Sequence, residues 1–258
     1  MKRFKHGARL CLHAMARVAL RLRATPYSSD SYPVTLVIAP HPDDGTLGCG
    51  ALIARRRLDG LVVHELVVTD GSASHPRHPT ESPERIAELR HAEECEAMRR
   101  LGVDEARLHF LNATDGMLNK LSSSEAEAIE RGILAVLVSV RPDEILVPCR
   151  FDGSSEHDAC FGLVSRALAK ADIRPRVLEY PIWSWWNPLR TFRTVGTARR
   201  IWRVPTTGTL IAKRQALAAY VSQAEPTAPW TEPALPLGFI LFFISPAEYF
   251  FEMEQLVP

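Results

Sequence analysis

No stretch of this chain offers the roughly 18–20 consecutive apolar residues that crossing a bilayer requires, so no membrane span is expected. Cysteine is scarce and odd in number: Cys11, Cys49, Cys95, Cys149 and Cys160 are scattered along the chain. That pattern disfavours a secreted disulfide framework and makes a reduced, cytoplasmic setting the expectation. Net charge is almost absent, because 31 Lys and Arg face 30 Asp and Glu; such a balance offers no nucleic-acid footprint, so no nucleic-acid partner is expected. Internal repeats and low-complexity tracts are also missing. What remains is a 258-residue chain, 46% hydrophobic, a length that α/β folds routinely organise as one unit.

Acidic residues are absent before Asp30, while Lys2, Arg3, Lys5, Arg9, Arg17, Arg21 and Arg23 accumulate there. Phe4, Ala8, Cys11, Met15, Val18 and Leu22 recur at helical spacing. The segment therefore reads as a basic amphipathic helix without the uninterrupted apolar core of a signal peptide. Such a helix can dock on the rest of the protein, make a peripheral contact with anionic lipid through residues 1–25, or serve as an Arg-rich organellar presequence. Pro26 to Pro33 reads as the linker out of it. Residues 1–30 are thus expected to form a helix and linker, and residues 31–258 the main domain.

From Val34 onward, buried-strand runs alternate with helical periodicity. Strands are expected at 34–39, 61–69, 107–111 and 144–148, with helices near 46–59, 83–101, 122–139 and 157–170, and a further strand at Arg176-Val177-Leu178-Glu179. Alternation of this kind specifies a doubly wound, Rossmann-like, mainly parallel α/β sheet with helices on both faces. Beyond it, Trp183, Trp185, Trp186 and Asn187 precede an alternating run from Thr191 to Pro205 that reads as an aromatic-rich hairpin region. Those indoles can either wall a sugar pocket or cap the core. Lys213 to Gln223 reads as one more helix, and Gly238 to Ile244 as a buried strand or core helix segment.

The chemistry concentrates where the first strand ends. Val34-Thr35-Leu36-Val37-Ile38 runs into Ala39-Pro40-His41-Pro42-Asp43-Asp44, which delivers one imidazole and two carboxylates to the carboxyl edge of the sheet, the ligand-binding edge of open α/β folds. Taken alone, such a run can also be a turn with an Asp cap before a helix. A second polar loop follows Glu144-Ile145-Leu146-Val147-Pro148 and contains Cys149-Arg150-Phe151-Asp152-Gly153-Ser154-Ser155-Glu156-His157-Asp158. A catalytic zinc keeps about three protein ligands and an open position, and His157 is the natural complement to the first loop. Imidazole with carboxylate oxygen suits Zn²⁺, and Fe²⁺ or Co²⁺ would also fit. His157 and Cys160, spaced i,i+3, offer an alternative thiolate site, although Cys160 also suits core packing. Leu47-Gly48-Cys49-Gly50 superficially resembles a nucleotide-binding glycine turn with Asp70 as its acid. His-Pro-Asp-Asp occupies the turn itself, however, so the glycines are expected inside the helix, allowing close contact with the sheet.

His41-Pro42-Asp43-Asp44 after a strand, with Leu47-Gly48-Cys49-Gly50 opening a helix, resembles the PIG-L/LmbE-like N-acetylglucosaminyl deacetylase family. The likeness continues through Val68-Thr69-Asp70-Gly71-Ser72-Ala73-Ser74-His75-Pro76, through Leu89-Arg90 to Leu101-Gly102-Val103, and through Arg150-x-Asp152-Gly153 with His157. Tyr180-Pro181-Ile182-Trp183, Lys213-Arg214-x-Ala216-Leu217 with Ser222-Gln223, and Glu248-Tyr249-Phe250 are similar to its later landmarks. The resemblance implies a Zn²⁺-dependent (or other divalent transition metal) hydrolase that removes acetyl from an N-acetylated amino sugar of the N-acetylglucosamine type, small or lipid-linked. It further implies that His41, Asp44 and His157 are the metal ligands, that Asp43 is the general base, and that a water activated by the metal is the nucleophile. Family members usually carry Glu at position 45 and His at position 154, where this chain has Gly45 and Ser154. The resemblance places oxyanion stabilisation or proton donation at 154, and a serine hydroxyl can donate a hydrogen bond but no readily titratable proton. His75 and His78 are candidate replacement acids, and Arg150, Asp152, Asp70 and Ser72 candidate pocket residues. Arg150 would either hold a substrate phosphate or pair with Asp152. The alternative is a family member that binds metal or glycoconjugate without turnover.

Overall fold

The computed structural model describes residues 2–28, 31–226, 228–229, 231–236 and 238–253, with side-chain environments from residue 12 onward. In chain order the elements are α1 (Lys2–Arg23), β1 (Ala24–Pro26), β2 (Val34–Ala39), α2 (Asp44–Leu58), β3 (Val62–Thr69), α3 (Pro83–Arg100), β4 (Leu108–Ala113), α4 (Ser123–Val140), β5 (Glu144–Pro148) and α5 (Ser155–Lys170). They continue with β6 (Arg176–Tyr180), α6 (Trp183–Trp186), α7 (Pro188–Thr197), β7 (Arg200–Pro205), α8 (Leu210–Leu217), α9 (Val221–Ala224) and β8 (Ala247–Glu252).

The strands form one sheet in the order β1-β7-β8-β6-β5-β2-β3-β4. Strands β4, β3, β2, β5 and β6 are mutually parallel, β8 runs antiparallel to β6 and β7, and β1 pairs parallel with β7. From β2 the chain winds outward to β3 and β4, then returns to lay β5 on the other side of β2. That reversal is the topological switch point of an open α/β sheet, where a crevice opens at the carboxyl ends of the strands. The loops after β2 and β5 are the two that carry His41 and His157.

Strands buried on both faces read as continuous apolar runs, and β2 and β5 are of this kind. Alternate β2 residues serve opposite cores. Val37 joins Leu52, Met98, Leu146 and Tyr180 on the face covered by α2, α3 and α8, whereas Leu36 and Ile38 join Leu66, Ile133, Leu163 and Val164 under α4 and α5. A smaller cluster of Leu20, Val195, Ile201 and Phe251 seats α1 and α7 beside β7. Helix α2 lies directly on the sheet: a Cβ at Gly48 would run into the Tyr180 ring, so glycine there sets the close approach that the sequence suggested.

The structure departs from expectation in the C-terminal part. Trp183 to Thr197 is helical, as α6 and α7, and not part of a hairpin; β7 pairs instead with the distant β8. Asn187 caps α7 by accepting from Leu189 N at 3.1 Å, and Pro188 occupies its first turn, a start signal stronger than the alternation that follows. The indoles pack inward: Trp183 and Trp186 lie 4.7 and 5.7 Å from the Phe239 ring. They cap the core. Lys213 to Gln223 divides into α8 and α9, and Ile240–Phe242 is a 3₁₀ turn between buried Phe239 and Phe243. Within the first 30 residues, Ala24–Pro26 is a strand of the main sheet. Helix α1 buries His13, Ala16 and Leu20, while Met15, Val18 and Leu22 face outward; Phe4, Ala8 and Cys11 have side chains outside the described set. Among the described residues no helix is long and apolar enough to cross a membrane.

Candidate metal centre

The chain turns sharply after β2. Asp43, at the N-cap of α2, takes φ 143° and ψ −28°, a region that side-chain-bearing residues occupy only under strain and that is concentrated at functional sites. The turn brings Asp44 back over His41. Asp44 Oδ2 accepts from the His41 backbone N–H at 3.1 Å and lies 3.0 Å from His41 Nδ1. Across the switch point, His157 in the first turn of α5 brings its Nε2 to 3.3 Å from the same oxygen. Gly153, with φ 90°, supplies the reversal between β5 and α5 that no other residue type makes readily.

Four strand-end loops are laced together around this point. Thr69, ending β3, donates both N–H and Oγ1–H to Pro40 O, at 2.9 and 2.8 Å. Asp70 accepts from Ser72 N and Asp115 N, and Asp115 Oδ2 from Ala73 N. Glu156 accepts from Gly116 N at 3.0 Å and Leu118 N at 2.8 Å. Asp115 and Glu156 then converge on the far side of His41, at 3.3 and 3.4 Å from Nε2. A proton on Nε2 facing two carboxylates leaves the Nδ1 lone pair toward Asp44, the orientation that outer carboxylates impose on metal-binding histidines. Asp152 does the same for His157: its Oδ2 is 2.7 Å from Nδ1, and it is itself fixed by the N–H groups of Ile182, Trp183 and Ser184, each at 2.9 Å.

These atoms fit a metal. His41, Asp44 and His157 each offer one donor within 4.8 Å of the others, and the 3.0 and 3.3 Å separations are close to the roughly 3.3 Å edge of a tetrahedron built on Zn–N and Zn–O bonds. His157 is fully buried with each ring nitrogen against a carboxylate, Nδ1 on Asp152 and Nε2 on the same Asp44 oxygen that faces His41. His41 with Asp115 and Glu156 makes a second convergent set sharing the same ring. Cys160 belongs to neither set; it is buried in the core, and burial pushes its thiol up to about 12.

The neighbouring carboxylates differ in electrostatics. Burial alone would raise the Asp44 pKa, but His157 and His41 hold it well below the carboxylate range. Asp43 is pushed up to about 6, mainly by burial, with Asp44 adding to the rise and Arg90 opposing it. Arg90, 1% exposed on α3, donates from Nη2 to Asp43 Oδ2 at 3.0 Å and to Pro42 O. A carboxylate poised near 6 matches a general base working near neutrality. His157 is raised to about 9 and His41 well above its ordinary value: burial opposes the charge in both, but the facing carboxylates outweigh it.

Of the other sequence-derived candidates, Arg150 does not pair with Asp152. It turns to Glu179, with Nε at 2.7 Å and Nη2 at 2.6 Å from Oε1. Asp152 is fully buried as the anchor of His157 and lines no open wall. Asp70 and Ser72 organise the loop after β3. Ser154 is the N-cap of α5, yet its hydroxyl makes no capping bond. His75 lies near Arg90, and His78 takes N–H donors from Thr80 and Glu81; neither belongs to the His41 groups. Sequence reasoning missed Asp115 and Glu156, and gave Arg90 no role. The usable signals were Glu156 beside His157 and Asp115-Gly116 just after a parallel strand.

The fold and the site thus define an α/β protein with a candidate His/Asp metal centre at its switch point. The family model described as PIG-L, GlcNAc-PI de-N-acetylase, matches residues 36–168, more than half of the chain, and the protein belongs to that family. A 2′-N-acetylparomamine deacetylase from Streptomyces fradiae is 28% identical over 144 residues, 52% of either protein, so the chain spans about half the length of that curated relative. Among solved structures, N,N′-diacetylchitobiose deacetylase from Pyrococcus horikoshii superposes with a TM-score of 0.56 at 21% identity, over 74% of this chain and 70% of that one. The 4-carboxy-2-hydroxymuconate hydratase from Pseudomonas putida KT2440 does so with a TM-score of 0.61 at 16% identity, over 81% and 82%. The fold therefore accommodates more than one reaction, and the chemistry has to be argued from the site.

Proposed function

We propose that this protein is a metal-dependent N-deacetylase that hydrolyses the acetamide of an N-acetylated amino-sugar conjugate, releasing acetate and the free amine. The observation that carries the reading is the convergence of His41 Nδ1, Asp44 Oδ2 and His157 Nε2, with Asp43 beside them. Zn²⁺ or a related divalent ion held by those three residues would activate water and polarise the acetamide carbonyl. Asp43 takes the proton of the attacking water through the oxygen that Arg90 leaves free, and can return it to the departing amine. Asp115, Glu156 and Asp152 hold the two imidazoles in the orientation the ligands need. Ser154, with its hydroxyl uncommitted, hydrogen-bonds the substrate oxygen on which charge develops. The amino-sugar class is supported by the family and by the paromamine relative.

The test is metal content of the purified protein together with acetate release from a panel of N-acetylglucosamine conjugates, with Asp43→Ala as the control. Bound metal and acetate from the unmutated protein alone is the expected result; metal without acetate from any conjugate would favour the non-catalytic alternative. Ser154→His separates the two further, raising turnover in a slow enzyme and doing nothing in a binding protein.

Peripheral contact with anionic lipid is a separate part of the proposal. It is supported by Met15, Val18 and Leu22, 60%, 58% and 80% exposed on α1, with Arg17 and Arg21 among them. Vesicle sedimentation equal for the unmutated protein and Val18→Glu/Leu22→Glu would dismiss it.

A further inference from the structure

Directly beneath the metal-binding turn lies a buried carboxyl that the chemistry above does not use. Gly45, the residue after Asp44, is in the first turn of α2 with its bare Cα toward β3. A Cβ built on it would overlap Glu65 Oε1, stand 3.1 Å from Glu65 Cδ and touch Val37 Cγ1 at 3.4 Å. Glu65 is a fully buried residue of β3, flanked on the same face by Val63 and Val67. Neither of its carboxyl oxygens receives a hydrogen bond from an N–H or a hydroxyl, and its polar neighbour is another carboxyl, Glu94. It shares a side-chain hydrogen bond with Glu94, and a pair of buried carboxyls is a costly way to fill a core that an apolar side chain could fill. The carboxyl instead fills the space that a side chain at position 45 would take.

We propose that Glu65 is a positioning residue for the metal-binding turn: its carboxyl, wedged against Gly45, props the first turn of α2 so that Asp43 and Asp44 stand over His41 and His157. Positions 45 and 65 are then one exchangeable unit. A single side chain from either side fills the space, two do not fit, and none leaves the turn unsupported. The inference rests on the proposed metal site for its functional meaning, but the exclusion between the two positions does not.

Two measurements on full-length variants test it separately. In the first, zinc affinity is read by competition with a chromophoric chelator for the unmutated protein, Glu65→Ala, Gly45→Glu and Gly45→Glu/Glu65→Ala. Glu65→Ala is expected to weaken zinc about 10-fold or more, the range of lost outer-shell support. Gly45→Glu alone should weaken it further, and the double variant should recover to within a few-fold of the unmutated protein. Glu65→Ala with unchanged affinity, or a double variant no better than Gly45→Glu, overturns the proposal. In the second, melting temperatures of Gly45→Ala are compared in the Glu65 and Glu65→Ala backgrounds, without metal. Alanine for glycine in a helix ordinarily stabilises, so the substitution should raise the melting temperature by about 2–4 °C in the Glu65→Ala background and lower it where Glu65 is present. The same sign in both backgrounds overturns the exclusion. If no protein in the set binds zinc, the proposed metal site fails, and the melting comparison still decides whether the two positions exclude each other.

Discussion

Two groups of buried carboxyls flank the first turn of α2, and Asp44 and Glu65, one from each, are shifted in opposite directions. Above the turn, Asp44 faces His41 and His157 and is held ionised despite burial, and Asp43 has Arg90 at 3.0 Å. Below it, among the described residues, no cation stands within ion-pair distance of Glu65 or Glu94, and Arg90 opposes the rise of Glu94 only from farther off. Glu94 accepts from Tyr220 Oη at 3.0 Å, shares a side-chain hydrogen bond with Glu65 and is pushed up to about 7, chiefly by burial, while Glu65 is raised well above its ordinary value by burial and by Glu94. All four are carboxyls, and all four are buried. The facing charge decides whether a buried carboxyl works as an anion or as a neutral acid.

The sharpest way to separate the two groups is to neutralise one member at a time. Asp43→Asn keeps the shape of the upper group but removes its base, and should lower acetate release by about 10²–10⁴-fold while zinc affinity, measured by chelator competition, stays within a few-fold. Asp44→Ala removes a proposed ligand and should lower that affinity by about 100-fold or more, a larger loss than any outer-shell change gives. Asp152→Asn, which leaves His157 without its anionic partner, should weaken zinc by about 10–100-fold with the melting temperature little changed. Equal affinity for Asp152→Asn and the unmutated protein would mean that Asp152 only shapes the loop.

In the lower group, Glu94 should speak through pH. Glu94 binds its proton more tightly folded (about 7) than unfolded (near 4.5), so its contribution to stability is fully present below about pH 4.5 and is lost as pH rises to about 7. Glu94→Gln has no such loss. Its melting temperature relative to the unmutated protein should therefore rise by a few degrees between pH 5 and pH 8. A difference that does not move with pH would place a compensating charge beside Glu94 and erase the contrast with Asp43 and Asp44.

Much of the upper group was legible from sequence because it is local. Its two carboxyls and the His41 ring beside them lie within His41-Pro42-Asp43-Asp44, and an α/β alternation tells where the end of such a strand emerges. His157 was legible for the same reason, one polar loop after a second buried strand. Asp115 and Glu156 were less so, since a carboxylate in a loop declares nothing about which ring it will face. Arg150 shows the same limit: Asp152 was its neighbour in sequence, but Glu179 on the adjacent strand β6 is its partner in space. The lower group was invisible. Glu65 sits inside an apolar strand run, and nothing in the sequence relates it to Gly45.

Local pattern was enough to place the winding from Val34 to Tyr180 and the residues at the first strand's end, because hydrophobic periodicity and turn chemistry act over a few residues. The antiparallel return of β8 between β6 and β7, the helical fate of Trp183 to Thr197 and the charge state of each buried carboxyl came from the folded chain. Strand partners far apart in sequence and the cations or acids that face a buried group are set by packing of the whole chain, and no local pattern encodes them.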